Sequence, residues 1–534
     1  MLNKKQWVQW NSLIVIIISI VILNILGQRI FFRIDYTEDG KYSVSEVTKT
    51  ILASIDDPVT IKIYYSENFP KQLITVKQYV LEMLHEYRAF AGNGLEYEFI
   101  MLNSETSEKM DDAHSYGVMP VQANITENDE IKVQKIYLGL VFLYEDKKEV
   151  LPFVSAIEQL EYDMTSAIKT LVQDEKPKIA WLSGHGEPSL SGDETLYKNL
   201  ESLYKAYDIV DVNLSEVEKI DTQYKSAIMV QPTDSLSLLE LYKLDQFMMR
   251  GGELGIFAGQ QSVDLQNQYM PVMPIQTNLN DFLRHYGVEI GSKILMDKQS
   301  YQVTAYQNMG FMQIPVKVDY PYAPRLTEFD KEHLIVSRFD ECGLFFPNEV
   351  VITSDFDSTN IRLSHLMRTS EKSGFAQQDP RSGMVNISVG TELPEFMFNE
   401  GSKSVAVALA GNFTSYFADG RPDGVTFPDE HNASSLLDSR MIIAGSGNFL
   451  TGQFSVPSAV LFFTNAVDWL EDENGLISIR SKSIQPSKLD ETTISQRSTL
   501  KWLNILLAPA ILIGIGVFRW FQRRKMKKAM EELS

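Results

Sequence analysis

The chain has one cysteine, Cys342, among 534 residues. That excludes an internal disulfide framework and any CxxC redox or zinc pair. There is no GxxxxGK[ST] phosphate loop, no strand–GxGxxG–helix, no HExxH and no paired Cys/His set. ATP hydrolysis, dinucleotide binding and zinc chemistry therefore lack their usual residues. A GxSxG elbow is also missing, so a nucleophilic triad has no evident nucleophile. Positive charge is scarce between the ends: residues 34–499 carry 38 basic and 68 acidic side chains. So acidic a surface repels phosphate backbones and argues against a nucleic-acid partner. No internal repeat or low-complexity run is present, and 44% hydrophobic residues exclude a disordered chain.

What the chain does have is a long apolar run near each end. Residues 7–26 carry no charge and are long enough to span a bilayer. A cleaved signal peptide is the other reading, but no small-x-small cleavage site follows. The second run is 502–518, WLNILLAPAILIGIGVF. Its Pro509 is tolerable inside a membrane helix. Six basic residues follow it, against Lys501 and Arg497 before it. The positive-inside rule then predicts a cytoplasmic C-terminus, and two spans put the N-terminus on the same side. The acidic middle is expected outside the cytoplasm, away from ATP. Asn24 and Asn504 are polar enough to pair with partner helices or to lie near an interface.

The expected organisation is a cytoplasmic start and first span over 1–33, an outer domain over 34–175 and an α/β domain over 176–470. A linker over 471–499 and a second span with a basic tail over 500–534 follow. In the first domain, Ser43 with Glu46 has capping-box spacing and predicts a helix from Val44 to Asp57-Pro58. Strand 59–65, helix 71–90, strand 95–101, a helical stretch at 104–115, a hairpin over 132–154 and a helix at 155–173 complete it. This β-α-β-α-β-β-α order is thioredoxin-like. SENFPK (66–71) stands where such a fold could hold a CxxC, and Met119-Pro120 is a candidate for the proline loop before the third strand.

From Lys176 the rhythm changes. Continuous apolar strands at 178–183, 208–213, 226–230 and 253–259 alternate with helices at 194–206, 235–249 and 279–288. This predicts a doubly wound parallel sheet. Residues 297–400 read as a turn-rich, β-rich insertion. The α/β pattern resumes at 404–413 and 441–450 and ends in a helix at 457–470.

The most pointed local feature is Gly184-His185-Gly186-Glu187 at the carboxyl end of the first parallel strand, where open α/β sheets bind ligands. Ser183, His185 and Glu187 are the candidate ligand-binding residues. His185 and Glu187 have the chemistry for acid/base work or for contacting a sugar or acid. The alternative is a glycine turn whose histidine bonds to backbone. Gly445-Ser446-Gly447 reads as a tight turn, and Asp355 with Asp357 as a solvated turn without the glycine and distal Glu of a calcium loop. No catalytic residue, metal or cofactor is assigned.

Several segments in order carry a family resemblance: DYTEDGKYSVS (35–45), PVTIKIY (58–64), KPKIAWLSGHGE (176–187), MIIAGSGNFL (441–450), NAVDWL (465–470) and LISIRS (476–481). Together they resemble the GldG family, gliding-motility-type auxiliary components of ABC-2-type transport systems. The resemblance implies a two-span α/β protein of the bacterial inner membrane. Its thioredoxin-like domain would be followed by a unit similar to the class I glutamine-amidotransferase-like fold. It also implies an ABC-2-type permease and a separate cytoplasmic ATPase as partners. The sequence departs from the amidotransferase-like enzymes in lacking their catalytic cysteine, and has Asn448 where an acid is expected. A non-enzymatic accessory subunit that binds or guides cargo or envelope partners is the reading it favours. A membrane-tethered hydrolase or amidase using His185 and Glu187, and a stand-alone glycan- or protein-binding scaffold, are the alternatives.

Overall fold

The computed structural model describes residues 43–479, apart from short stretches of which 264–270 and 379–384 are the longest, and residues 501, 514 and 516–524. The first apolar run, most of the second and most of the 471–499 linker lie outside the described residues. Among those described, no helix is long and apolar enough to cross a membrane. Residues 516–524 are helical and belong to a second compact unit, 484–534. All that follows concerns the first.

The chain begins with helix α1, Glu46–Ala53. It starts two residues later than the Ser43–Glu46 spacing predicts, and its cap is Ser45, whose hydroxyl accepts from Thr48 N at 3.2 Å. Tertiary packing explains the shift. Val44 is buried, and its N–H donates to Glu86 Oε2 at 3.2 Å. The carboxylate that completes the cap is Glu161, which accepts from Ser45 N at 2.7 Å. Glu46 instead pairs with Lys49 on the surface.

Strand β1 (Val59–Ser66) is followed by helix α2 (Ile74–Ala91), which buries Val76, Tyr79, Val80, Met83, Leu84 and Tyr87 along one face. Strand β2 (Leu95–Leu102) and helix α3 (Ser107–Tyr116) come next. Strands β3 (Leu138–Tyr144) and β4 (Lys147–Leu151) and helix α4 (Leu160–Val172) close the unit. The sheet order is β2-β1-β3-β4, with β1 parallel to β2 and antiparallel to β3.

The single hairpin expected over 132–154 is two hairpins. Glu130–Ile136 pairs backwards with Val121–Glu127 in a separate two-stranded sheet, and β3 pairs forwards with β4. Met119-Pro120 therefore leads into this extra hairpin rather than into the third strand of the main sheet. The separate hairpin is polar, whereas β3 is an apolar run buried on both faces, as a central strand must be.

The second sheet has eight strands. Five are parallel: β5 (Lys178–Ser183), β6 (Asp208–Asn213), β7 (Tyr224–Val230), β8 (Glu253–Phe257) and β12 (Ser439–Ala444). Three antiparallel strands extend it: β9 (Glu328–Phe329), β10 (Ile361–Arg368) and β11 (Ser404–Gly411). The order is β9-β10-β11-β12-β8-β7-β5-β6. Residues 297–400 are thus only partly an insertion. A long hairpin, Ser300–Met309 with Met312–Leu326, leaves the sheet, but β10 returns to it.

Alternate residues feed two cores, one on each face. Ala180, Leu182, Ala227 and Met229 pack with helix α5 (Leu238–Met249). Ile179, Trp181, Ile228 and Val230 pack with helix α6 (Pro457–Glu471). Both faces are covered, which is why these strands read as unbroken apolar runs. The helix expected over 194–206 is broken at Leu200 into Glu194–Asn199 and Glu201–Ala206.

Candidate functional site

The carboxyl ends of β5 and β7 flank the point where the strand order reverses, the usual ligand crevice of such sheets. The structure brings His185 and Glu187 together there and turns Ser183 away. The Ser183 hydroxyl donates to Asp211 on β6. Gly184 and Gly186 take φ of +114° and +82°, which glycine alone adopts without strain. The His185 carbonyl accepts from Thr233 N at 2.7 Å and Asp234 N at 3.0 Å, so the turn is tied to the loop after β7.

His185 points inward and is 5% exposed. Its Nε2 lies 3.2 Å from Glu240 Oε2, and its Nδ1 lies 3.8 Å from Glu187 Oε1. Glu240 is the third residue of helix α5, capped by Ser237 in a reciprocal capping box. Burial pushes the Glu240 carboxyl up, but its bonds with Ser237 and the adjacent imidazole outweigh this and hold it below the usual range. Burial raises Glu187, opposed by backbone N–H groups, one of them His185 N at 2.6 Å. His185 thus sits between two carboxylates under the loop, with its ring withdrawn from solvent.

Sequence reading missed the residues that hold the other carboxyl ends. Gln231 takes φ +46°, and its Oε1 accepts from Gly259 N at 2.9 Å and Gly447 N at 3.1 Å. Asn348 Oδ1 accepts from Gln260 N at 3.0 Å, and its amide donates to the Lys293 carbonyl at 2.9 Å. Nothing local marks either residue, because each acts across strands distant in sequence. Gly445 and Gly447 are required by packing. A Cβ on Gly445 would fall 2.1 Å from the Asn348 carbonyl oxygen, and one on Gly447 2.3 Å from that of Phe257.

Elsewhere, Cys342 is fully buried, and burial pushes its thiol up to about 12. Asp357 caps its own turn, accepting from Thr359 N at 3.0 Å, and Asp355 stands beside Ser354. Among the described residues no three His, Cys, Asp or Glu side chains are grouped to hold a metal ion.

A second feature is a cleft of about 790 Å³ between the two sheets' domains. Lys148, Glu149 and Ser166 line it from the first, and Lys205, Leu461 and Asp468 from the second. Asp468 on α6 accepts from Tyr207 at 3.0 Å and from Tyr162 on α4 at 3.3 Å, joining the two domains at its edge.

Taken together, the described core is a mixed α/β protein with a buried histidine between two carboxylates at its switch point. A family model described as an ABC-type uncharacterized transport system matches residues 176–472. This is more than half of the chain, and the chain belongs to that family of ABC-type transport auxiliaries. A second model, of a domain of unknown function, matches residues 38–143. An uncharacterized protein of Borreliella burgdorferi is 22% identical over 98% of this chain and its own full length. Among solved structures, the N-terminal domain of mmIFT52 aligns at 10% identity and TM-score 0.33, covering 55% of this chain and 97% of its own. A ThuA-like protein from Parabacteroides merdae aligns at 12% identity and TM-score 0.27, covering 60% and 96%.

Proposed function

We propose that the protein is a non-enzymatic, membrane-anchored accessory subunit of an ABC-2-type transporter of the GldG type. Family membership over 176–472 carries this reading. The two apolar runs at 7–26 and 502–518 anchor it in the bacterial inner membrane with both termini cytoplasmic. Its acidic domains then lie outside the cytoplasm, and a separate ATPase supplies energy. The strand order and pairing of the first sheet support a thioredoxin-like domain, and the five parallel strands of the second an amidotransferase-like one. The cleft between them is the surface offered to cargo or an envelope partner.

Withdrawal of His185 and burial of Cys342 favour the non-enzymatic reading over a tethered hydrolase or amidase. The test is a mild-detergent pull-down of the full-length chain from native membranes, with mass spectrometry. Co-isolation of a permease and its ATPase is expected. Recovery of the folded chain alone would overturn the accessory role and favour the scaffold. A hydrolytic activity lost in His185→Ala would favour the enzyme.

A further inference from the structure

A cavity of about 410 Å³ lies over the antiparallel end of the large sheet, far along the strand order from His185. Its floor is set by strand register. Arg362 on β10 pairs with Ala410 on β11, and Ala410 pairs with Arg440 on β12. Two arginines therefore stand in one cross-strand row, with an alanine between them. The next row places Ser364 beside Ala408. Strands are about 4.8 Å apart, so the two arginine Cα atoms are separated by roughly 10 Å, and the small alanines leave the space above them open.

The walls are polar and carry both signs of charge. Asp330, Glu332 and His333 come from the loop after β9, and Trp469 from α6. The His333 ring packs on Trp469 with centroids 5.3 Å apart. Burial first, with Arg362 and Arg440 adding to it, holds His333 down at about 4. At neutral pH it is therefore an uncharged imidazole, whose Nδ1 accepts from Ile335 N at 3.4 Å and whose Nε2 is left as a donor. Arg440 is anchored: it donates to the Trp469 carbonyl and lies 5.1 Å from that ring. Arg362 is exposed and lines the cavity, and among the described residues its guanidinium has no ion pair or hydrogen bond.

We propose that this cavity binds a hydroxyl-rich anion of monosaccharide size, a sugar acid or a sugar phosphate. The unpaired Arg362 fork takes the oxyanion, and Arg440 adds fixed positive charge from the same row. Asp330 and Glu332 would repel a bare anion but accept hydrogen bonds from ring hydroxyls, as the Ser364 hydroxyl can, while neutral His333 donates from Nε2. Guanidinium and carboxylate facing one space suit a ligand with both an oxyanion and hydroxyl donors. The volume lies in the lower range of small-ligand sites. In a chain whose residues 34–499 are so acidic, two arginines offset the two carboxylates of this cavity, so it lacks the negative excess of the rest.

The test is saturation-transfer NMR on the full-length chain in mild detergent, titrating glucuronate, glucose 6-phosphate, glucose and inorganic phosphate. Glucuronate or glucose 6-phosphate should bind at least tenfold more tightly than glucose and inorganic phosphate. Arg362→Gln should weaken it at least tenfold with an unchanged Tm, and Ser364→Ala should weaken it several-fold. Preference between the two anions identifies a carboxylate or a phosphate ligand, and either supports the site. Binding of glucose or of inorganic phosphate alone with equal strength would overturn the proposal. So would no binding by any probe, or anion binding unchanged in Arg362→Gln.

Discussion

The hydroxyl of Tyr162, on the last helix of the first domain, reaches Asp468, on the last helix of the second, at 3.3 Å. Tyr207 donates to the same carboxylate from the other side, at 3.0 Å. Tyr207 is half-buried, and desolvation of its hydroxyl with the nearby carboxylate keeps it protonated. Asp468→Ala leaves this hydroxyl unpaired and should cost about 1–3 kcal/mol. Tyr162→Phe should cost about 1 kcal/mol or less. Urea unfolding of both variants and the double variant measures the coupling, and strict additivity would show that this link does not join the domains.

Glu253 at the start of β8 provides a pH test. Burial raises its carboxyl from 4.5 to about 7, opposed by Arg440, whose backbone N–H it accepts, and by Lys225, while Glu471 adds to the rise. The folded state thus holds a proton that the unfolded state releases near pH 4.5. The associated stability is complete below that pH and is lost as pH rises through 7. Glu253→Gln should stabilise the chain relative to wild type by up to about 3 kcal/mol at pH 8 and by almost nothing at pH 4. Unfolding midpoints at the two pH values check it, and an equal gain at both would refute the assignment.

Gly445→Ala should destabilise by about 1–3 kcal/mol, because the new methyl meets the Asn348 carbonyl, which cannot move without shifting its strand. Thermal unfolding reads this directly. A neutral substitution would mean that the Gly445-Ser446-Gly447 turn is looser than its packing implies.

Cys342 should resist alkylation in the folded protein. Its thiol is fully buried, and burial holds it up at about 12, so very little thiolate exists at pH 8. Iodoacetamide labelling should proceed only as fast as the chain unfolds, and become rapid in denaturant. Fast labelling of native protein would contradict the buried position.

What could be read from the sequence was what neighbouring residues decide. β5, β7 and β8 were visible because burial on both faces leaves unbroken apolar runs. β10 was not: IRLSHLMR is half polar, since its Arg362 and Ser364 face the cavity. The start of α1 was misplaced because its cap is completed by Glu161, far along the chain. The turn around His185 could be located, but not the inward direction of its ring, which depends on Glu240. The arginine row emerges only once the register across three strands is known.

The position of β12 has a consequence for how the chain is made. Leu254 on β8 pairs with Met441, and Met441 in turn with Leu409 on β11. During synthesis at roughly 5–20 residues per second, β8 is complete on the order of ten seconds or more before its neighbour exists. For that interval the growing sheet ends in an apolar, unpaired edge, open to any strand that can add to it. β12 is the keystone: its late arrival joins the parallel and antiparallel blocks in one step, and a chain halted before it would be a client for chaperones and proteases rather than a shorter working protein.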